Sequence, residues 1–359
     1  MNISKNKFNK IRIIIVGSGI IGKFTALELS NYGFDITLVD KDEKNNSSNA
    51  ALGILMGKIY QKRKGRSWEL RKRSLELWPK WLKILQEFNP KLRIEKPLVQ
   101  LTTDPQKFEK LRIFANNYPN EGLEIIQEKS HLLDKTNEIF LGNSLQGIIS
   151  HHDGRINPAI LLKTLNIAIG RKKIKIIRNA IIDIKKIRNQ WWSSLEKGEH
   201  LTSEIVILCN SLDAIKIIKP NIFGIKLKPV LGQAIEVLCN DDNINFLSLP
   251  KQLNINGKNL IPISKQQLLI GSTDEYHTKP SENQIKELLN FIENKPYWLN
   301  KNNISKRWFG VRSRPEGEPS PLLKTLDEGL LLCSGFYKNG FLLAPSCSEW
   351  VREKIMMYI

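Results

Sequence analysis

The apolar positions of this chain come in two kinds of run, short continuous ones and longer ones spaced like a helix. Residues 11–16 are β-branched at every position except Arg12, the pattern of a strand covered on both faces of a parallel sheet. Gly17-Ser18-Gly19-Ile20-Ile21-Gly22 interrupts it, a helical stretch continues to Asn31 with Gly33 beyond, and Asp35–Asp40 reads as a second strand. Residues 68–88 place Leu70, Leu77, Trp78, Trp81, Leu82 and Leu85 at helical spacing, so the aromatic stripe is read as core. Further along, 160–169 predicts a helix, 173–178, Ile181–Ile187 and 205–209 predict strands, and 229–273 alternates strands with turns. A helix is expected over 283–293. The chain closes with a strand at 330–333, a glycine-bounded turn and a helix from about Ser346. The mixed pattern of 92–140 assigns no element.

Composition sets limits on this picture. A chain of 359 residues with 41% hydrophobic content can bury a large core, and its size suits two domains. No repeat or low-complexity linker separates them, so they are expected to interleave. No apolar stretch is long enough to span a bilayer. Residues 1–10 run into the first strand without a cleavage-site pattern, and a cytoplasmic location is expected. Cys209, Cys239, Cys333 and Cys347 have no paired spacing and read as reduced thiols. His131, His151, His152, His200 and His277 form no ligand pattern, so no metal is expected, and His151-His152 reads as a surface turn. The net charge of +19 raises the question of a nucleic-acid partner. The densest cluster, Lys58, Lys62, Arg63, Lys64, Arg66, Arg71, Lys72 and Arg73, is read as a solvated face flanking a helix, which leaves that partner open.

The glycine run carries the chemistry. Gly17 permits a tight turn, Gly19 lets backbone approach a pyrophosphate, and Gly22 lets helix and strand pack closely. The helix start at Ile20 and Ile21 offers free N–H groups and a partial positive charge to phosphates. Asp40, followed by Lys41, stands 18 residues beyond Gly22 at the end of the second strand, placed to accept hydrogen bonds from a ribose. A carboxylate there disfavours a 2′-phosphate. The motif alone suits NAD or FAD.

Later blocks decide between them. Ser47-Ser48-Asn49-Ala50-Ala51-Leu52-Gly53-Ile54, Asp153-Gly154-Arg155-Ile156-Asn157-Pro158, Leu208-Cys209-Asn210 and Val230-Leu231-Gly232-Gln233 occur in order. They are followed by Leu260-Ile261-Pro262, Ile270-Gly271-Ser272-Thr273, Trp308-Phe309-Gly310-Val311-Arg312 and the run from Gly335 to Pro345. Together they resemble the D-amino-acid oxidase family of flavoenzymes, most closely its glycine oxidase branch associated with thiamine biosynthesis. The resemblance implies FAD and a mixed α/β fold, with a Rossmann-like FAD domain (1–90, 150–225, 325–359) interleaved with an antiparallel-sheet α+β substrate domain (91–149, 226–324).

It also implies site roles. Ser47, Ser48, Leu52, Gly53 and Ile54 would wrap the flavin phosphate and ribityl chain, and the backbone of Ile181 would meet the adenine. Phe336, Tyr337, Lys338, Asn339, Gly340, Phe341 and Leu342 would face the flavin pyrimidine. Arg312 would hold a substrate carboxylate, with Arg314 as fallback because Ser313 replaces the usual proline. Two positions depart from the glycine oxidase pattern: Lys338 replaces an arginine, and Asn259 replaces a tyrosine, so both are read as substrate-binding and glycine itself is in doubt. The flavin would carry the chemistry without a catalytic side chain. The expected reaction is oxidative deamination of a small amino acid or amine, with O2 as acceptor and H2O2 released. Oxidation of an aminomethyl group on tRNA, as in the FAD domain of the wobble-uridine modification enzyme, is one alternative. A flavin protein with little turnover is another. Assembly as a homo-oligomer is left open.

Overall fold

The computed structural model describes residues 11–43, 46–127, 131–218 and 223–359. The expectation for residues 1–10, and Asn45 of the polar loop before Ser47, lie outside them. The architecture is mixed α/β. Arg12–Val16 forms the middle of a six-stranded sheet ordered Leu322–Asp327, Leu330–Ser334, Ile205–Leu208, Arg12–Val16, Asp35–Asp40, Lys175–Arg178. All neighbours are parallel except the Leu322–Asp327 edge. The continuous apolar run follows from burial on both sides. Ile13 and Ile15 pack with Phe24, Leu161, Leu165 and Val351 on the helical face. Ile14 and Val16 pack with Trp191, Leu195 and Ile217 on the other, where a three-stranded sheet of Ile181–Ile187, Gln190–Leu195 and His200–Ser203 covers them.

The second large sheet has eight strands in the order Ile304–Pro315, Leu227–Leu238, Gln267–Gly271, Lys258–Pro262, Gln252–Ile255, Leu98–Thr102, Gln146–Ser150, Leu123–Ile126. One face buries Ile235, Val237, Leu253, Leu260 and Ile270 against Trp298 and the helix Glu282–Leu289. Its other face meets the loop around Leu52, which packs on Ala234, Ile261 and Leu269.

Three sequence readings change. Residues 92–140 contain strands and two helices, one of them announced by a local signal: Asp104 accepts from Gln106 N and Lys107 N, with Pro105 in the first turn. The last helix is Gly340–Tyr358, starting six residues before Ser346 and running through Pro345. An interior proline costs about 3 kcal/mol, and burial of Phe341, Leu342, Leu343 and Ala344 in the core offsets it. The basic stretch is also more than a solvated face. Arg71 is buried, donating to Met56 O at 2.7 Å and Asn339 Oδ1 at 2.8 Å with its guanidinium over Tyr60. Lys58 and Arg63 pair with Glu121, and Arg73 pairs with Glu349 and Glu76. The tryptophans of the same helix, Gly65–Gln86, are core: Trp78 and Trp81 pack on Phe24.

The four cysteines are free thiols, three of them buried, and His151 and His152 are exposed in the turn after Gln146–Ser150. Among the described residues no helix is long and apolar enough to cross a membrane. Asp153 is fully buried, and its carboxylate accepts Gly57 N, Lys58 N, Ile59 N and Ser150 Oγ at 2.7–2.9 Å. It therefore sets the path of the chain into the helix Gly65–Gln86. Asp153→Ala strands three N–H donors and is expected to cost about 3 kcal/mol in urea unfolding; an unchanged midpoint would show that the carboxylate does not support this turn.

Candidate functional site

The nucleotide end of the site is built from backbone. Gly17 has φ +98°, a left-handed value that L side chains rarely adopt. A methyl group at Gly22 would lie 1.9 Å from Gly17 O, so only glycine lets the helix Ile20–Ser30 close on the turn. No side chain of Gly19 caps that helix, and Ile20 N instead donates to Ser48 Oγ at 3.0 Å. Asp40 is oriented by Ser18 N and Asp42 N, both at 2.6 Å, which leaves lone pairs for further donors. Lys41 turns away to Glu43 and Asp213 at 2.6 and 2.7 Å. Lys23, on the same helix, donates to Ser18 O. Burial pulls its ammonium below the usual value while Asp40 and Asp42 work against this. Beside Gly17, the buried Oδ1 of Asn210 has no hydrogen-bond partner among the described residues. Free helix N–H groups, a ribose-ready carboxylate and an orphaned acceptor suit a dinucleotide with its hydroxyls and phosphates.

The loop carrying Ser47 to Ile54 lies between the two large sheets. Gly53 has φ +77°, and a methyl there would meet Ile156 O at 1.9 Å. Leu52 O accepts from Arg155 Nε at 2.9 Å, and Ile54 pairs with Arg155. From the other side Trp308 Nε1 donates to Ala50 O at 3.3 Å. A methyl at Gly310 would sit 2.5 Å from Ala50 Cβ and 3.4 Å from Ser47 Cα. The Trp-x-Gly-x-Arg spacing now has a physical reading. Tryptophan ties the loop, glycine admits it, and Arg312 lies two residues on along the same face of the strand. Ile181 is buried in the cluster that contains Val39, at the start of its strand.

At the other end, Gly335 and Tyr337 have φ +67° and +53°. Gly335 N donates to Ser313 Oγ at 3.2 Å and Tyr337 N to Ser313 O at 3.0 Å. Ser313 is thus the stitch between the turn and the strand of Arg312, and its hydroxyl is used where the family pattern has proline. Asn339 receives Arg71, which also grips Met56 at the far side of the loop. Phe336, Phe341 and Leu342 are buried with Ile20 and Phe24, and a methyl at Gly340 would lie 3.6 Å from Ile20 Cγ2. The two helix N-termini therefore converge.

Arg312 extends over Gly232, where a methyl would meet Nη2 at 2.0 Å. Nη2 donates to Ser272 Oγ at 2.6 Å, and Nη1 donates to Thr273 O at 3.2 Å and Asp274 Oδ1 at 3.0 Å. Burial lowers the guanidinium from its ordinary value and Asp274 works against that shift; it stays charged. Lys338 Nζ and the Tyr337 hydroxyl also donate to Asp274. Burial, and then Asp274, push the Tyr337 phenol up to about 12, so it remains a neutral donor. Arg314 points to Tyr276, Oη at 2.5 Å, and lies 5.2 Å from the Tyr337 ring centroid without a hydrogen bond to Asp274 among the described residues.

Asn259 lies across from Gly271 on the sheet face that meets Leu52. Its Oδ1 accepts from Gln252 Nε2 and Asn254 Nδ2, both at 3.1 Å. Gly257 N donates to Asn254 Oδ1 at 3.1 Å, which fixes that amide and, through it, the other two. The fully buried Gln252 keeps an Oε1 without a hydrogen-bond partner among the described residues. Sequence reasoning missed Asp274, Arg71, Gln252 and Asn254. Asp274 follows directly on a block that was recognised; the others are assembled only by long-range packing. Among the described residues no cluster of His, Cys, Asp or Glu suits a metal.

Gly22→Ala is expected to leave the far-ultraviolet circular dichroism close to wild type while weakening FAD binding at least about tenfold. Undiminished FAD retention would refute the role given to close helix–turn packing.

The comparisons agree with this geometry. Glycine oxidase of Pseudomonas aeruginosa is 24% identical over 357 residues, covering 93% of this chain and 92% of that protein. The crystal structure of glycine oxidase from Bacillus cereus superposes with a TM-score of 0.82 at 20% identity, covering 97% and 95% of the two chains. The FAD-bound, dithionite-reduced L-α-glycerophosphate oxidase of Mycoplasma pneumoniae gives 0.80 at 17%, covering 97% and 94%. The family model described as FAD dependent oxidoreductase, DAO, matches residues 12–354. A nucleotide turn, a wrapped loop and a closing turn that meet at one place are thus those of a DAO-family FAD-dependent oxidoreductase, the family to which this chain belongs.

Proposed function

We propose that the protein oxidises a small carboxylate-bearing amine or amino acid, in the manner of a glycine oxidase, with oxygen as acceptor. The observation that carries this reading is Arg312. It is a largely buried guanidinium set over Gly232 beside the wrapped loop and within reach of the closing turn. A planar fork at that place binds a carboxylate through two parallel N–H···O bonds and fixes the direction of the adjoining Cα–H. Bound FAD supplies a two-electron acceptor for that hydrogen.

The chain's own residues bind, orient and shield. Ser272, Thr273 and Asp274 hold Arg312 in one rotamer, and Ser313 couples its strand to the turn at Gly335. The helix Gly340–Tyr358, whose first turn has no side-chain cap, directs its positive end at the site, where negative charge on reduction is favoured. The neighbouring carboxylates are both engaged. Asp274 carries two cations, and Glu275 accepts from Thr273, Gln233 and Ser281. Neither is a free general base, so the amine would bind neutral and lose its Cα hydrogen without one. The oxidised product is an imine, which water hydrolyses to a carbonyl compound and ammonia or an amine. We further propose that the two large sheets mark the two interleaved domains. Of the basic cluster, Arg71 is buried and Lys58 and Arg63 are paired with Glu121, so these three are not free to hold the phosphates of a ribonucleic substrate.

Anaerobic mixing of the holoenzyme with glycine, sarcosine and D-alanine should bleach the flavin with at least one of them. Absence of bleaching by any small amine would sink the reading in favour of a flavin protein with little turnover. Arg312→Ala should lower kcat/KM for carboxylate-bearing amines about a hundredfold, the loss of two charge-assisted bonds, without loss of FAD. Retained kcat/KM would move the carboxylate role elsewhere.

A further inference from the structure

Asp274 sits where an incoming anion would be expected. It accepts from Arg312 Nη1 at 3.0 Å and from Tyr337 Oη at 3.2 Å, and it pairs with Lys338 Nζ. Arg312 has five N–H donors. Three are given to Ser272 Oγ, Thr273 O and Asp274 Oδ1, and the remaining two have no partner among the described residues. Two is the number a carboxylate needs for bidentate binding. A substrate carboxylate can therefore dock with Asp274 in place, next to a fixed negative charge.

The charge count then limits the ligand. Arg312 and Lys338 contribute two positive charges and Asp274 one negative. Arg314, 5.2 Å from the Tyr337 ring centroid, and the buried Glu275 add one charge of each sign and leave the sum unchanged, and His277 lies beyond Glu275 at 3.6 Å. One carboxylate neutralises the remaining charge. A second would face Asp274 across a few ångströms in a partly desolvated site, where like charges repel strongly. A neutral substrate amine beside the first carboxylate meets no such repulsion and can donate to a remaining lone pair of Asp274.

We propose that Asp274 is a specificity-determining residue which restricts this site to amines bearing a single carboxylate and turns away dicarboxylates. This rests on the carboxylate role given to Arg312 above. Asp274→Asn keeps the shape and an oxygen for Arg312 but removes the charge, whereas Asp274→Glu keeps the charge.

The test uses FAD-loaded full-length protein and two unreactive probes, acetate and malonate, with dissociation constants read from the shift of the flavin's visible spectrum. The expected result is that Asp274→Asn raises malonate affinity relative to acetate at least about tenfold, that Asp274→Glu leaves the ratio near wild type, and that added salt shrinks the difference. If Asp274 only braces Arg312, both probes weaken together and the ratio stays constant, which overturns the proposal. If acetate leaves the wild-type spectrum unchanged, the carboxylate role of Arg312 fails and this proposal with it. Acetate binding with an unaltered ratio removes this proposal alone.

Discussion

Everything in this molecule depends on one loop fitting between two sheets. Residues 46–54 must touch the helix start at Ile20 through Ser48, the short strand at Arg155 through Leu52 O, and the far sheet through Leu52, Ala50 and Ser47. Space for it exists because three facing positions lack side chains, at Gly19, Gly271 and Gly310, and because Gly53 takes a left-handed conformation against Ile156. A methyl at any of these positions would collide or press on a neighbour. The loop therefore couples the position of the nucleotide turn to that of Arg312, although the two lie almost 300 residues apart in sequence.

Buried charge supports the same geometry. Arg71, Arg155, Asp153 and Glu275 are each nine-tenths or more buried, and each ends on backbone groups or on a partner of opposite sign or hydrogen-bonding character. Isolated burial of such groups is costly, whereas multiple hydrogen bonds make them rigid braces. Arg71 spans from Met56 to Asn339, and Arg155 from Leu52 to Glu95. The chain's strongly basic composition thus includes cations that hold loops together.

What was legible in the sequence follows from how local each signal is. The nucleotide turn could be read because Gly17, Gly19, Gly22 and Asp40 lie within 24 residues, the glycines answering to backbone sterics and the aspartate to its place at the strand end. The strand at Arg12–Val16 could be read because burial on both faces leaves only apolar positions after Arg12. Arg312 was reachable through the spacing of Trp308 and Gly310, now explained by contact with Ala50. The helix start at Gly340 was hidden because Pro345 is a local stop signal overridden by core packing. Arg71 was read as one surface cation among eight, since its partners Met56 O and Asn339, the latter 268 residues away, meet it only in the folded chain. The amide cluster of Gln252, Asn254 and Asn259 needs the pairing of neighbouring strands, which no single segment encodes.

The order of strands in the six-stranded sheet bears on how the protein is made. The first strand, Arg12–Val16, lies beside Ile205–Leu208, which in turn lies beside Leu330–Ser334, and the helix Gly340–Tyr358 packs directly on Ile20–Ser30. Contacts of this sequence separation are slow to form and cannot begin until the later segment exists. At roughly 5–20 residues per second of synthesis, the glycine turn emerges early and waits many seconds for the segment that closes it. Until residues 205–208 have been made, the strand at 12–16 lacks its neighbour on that side, an edge that a nascent chain must keep from self-association.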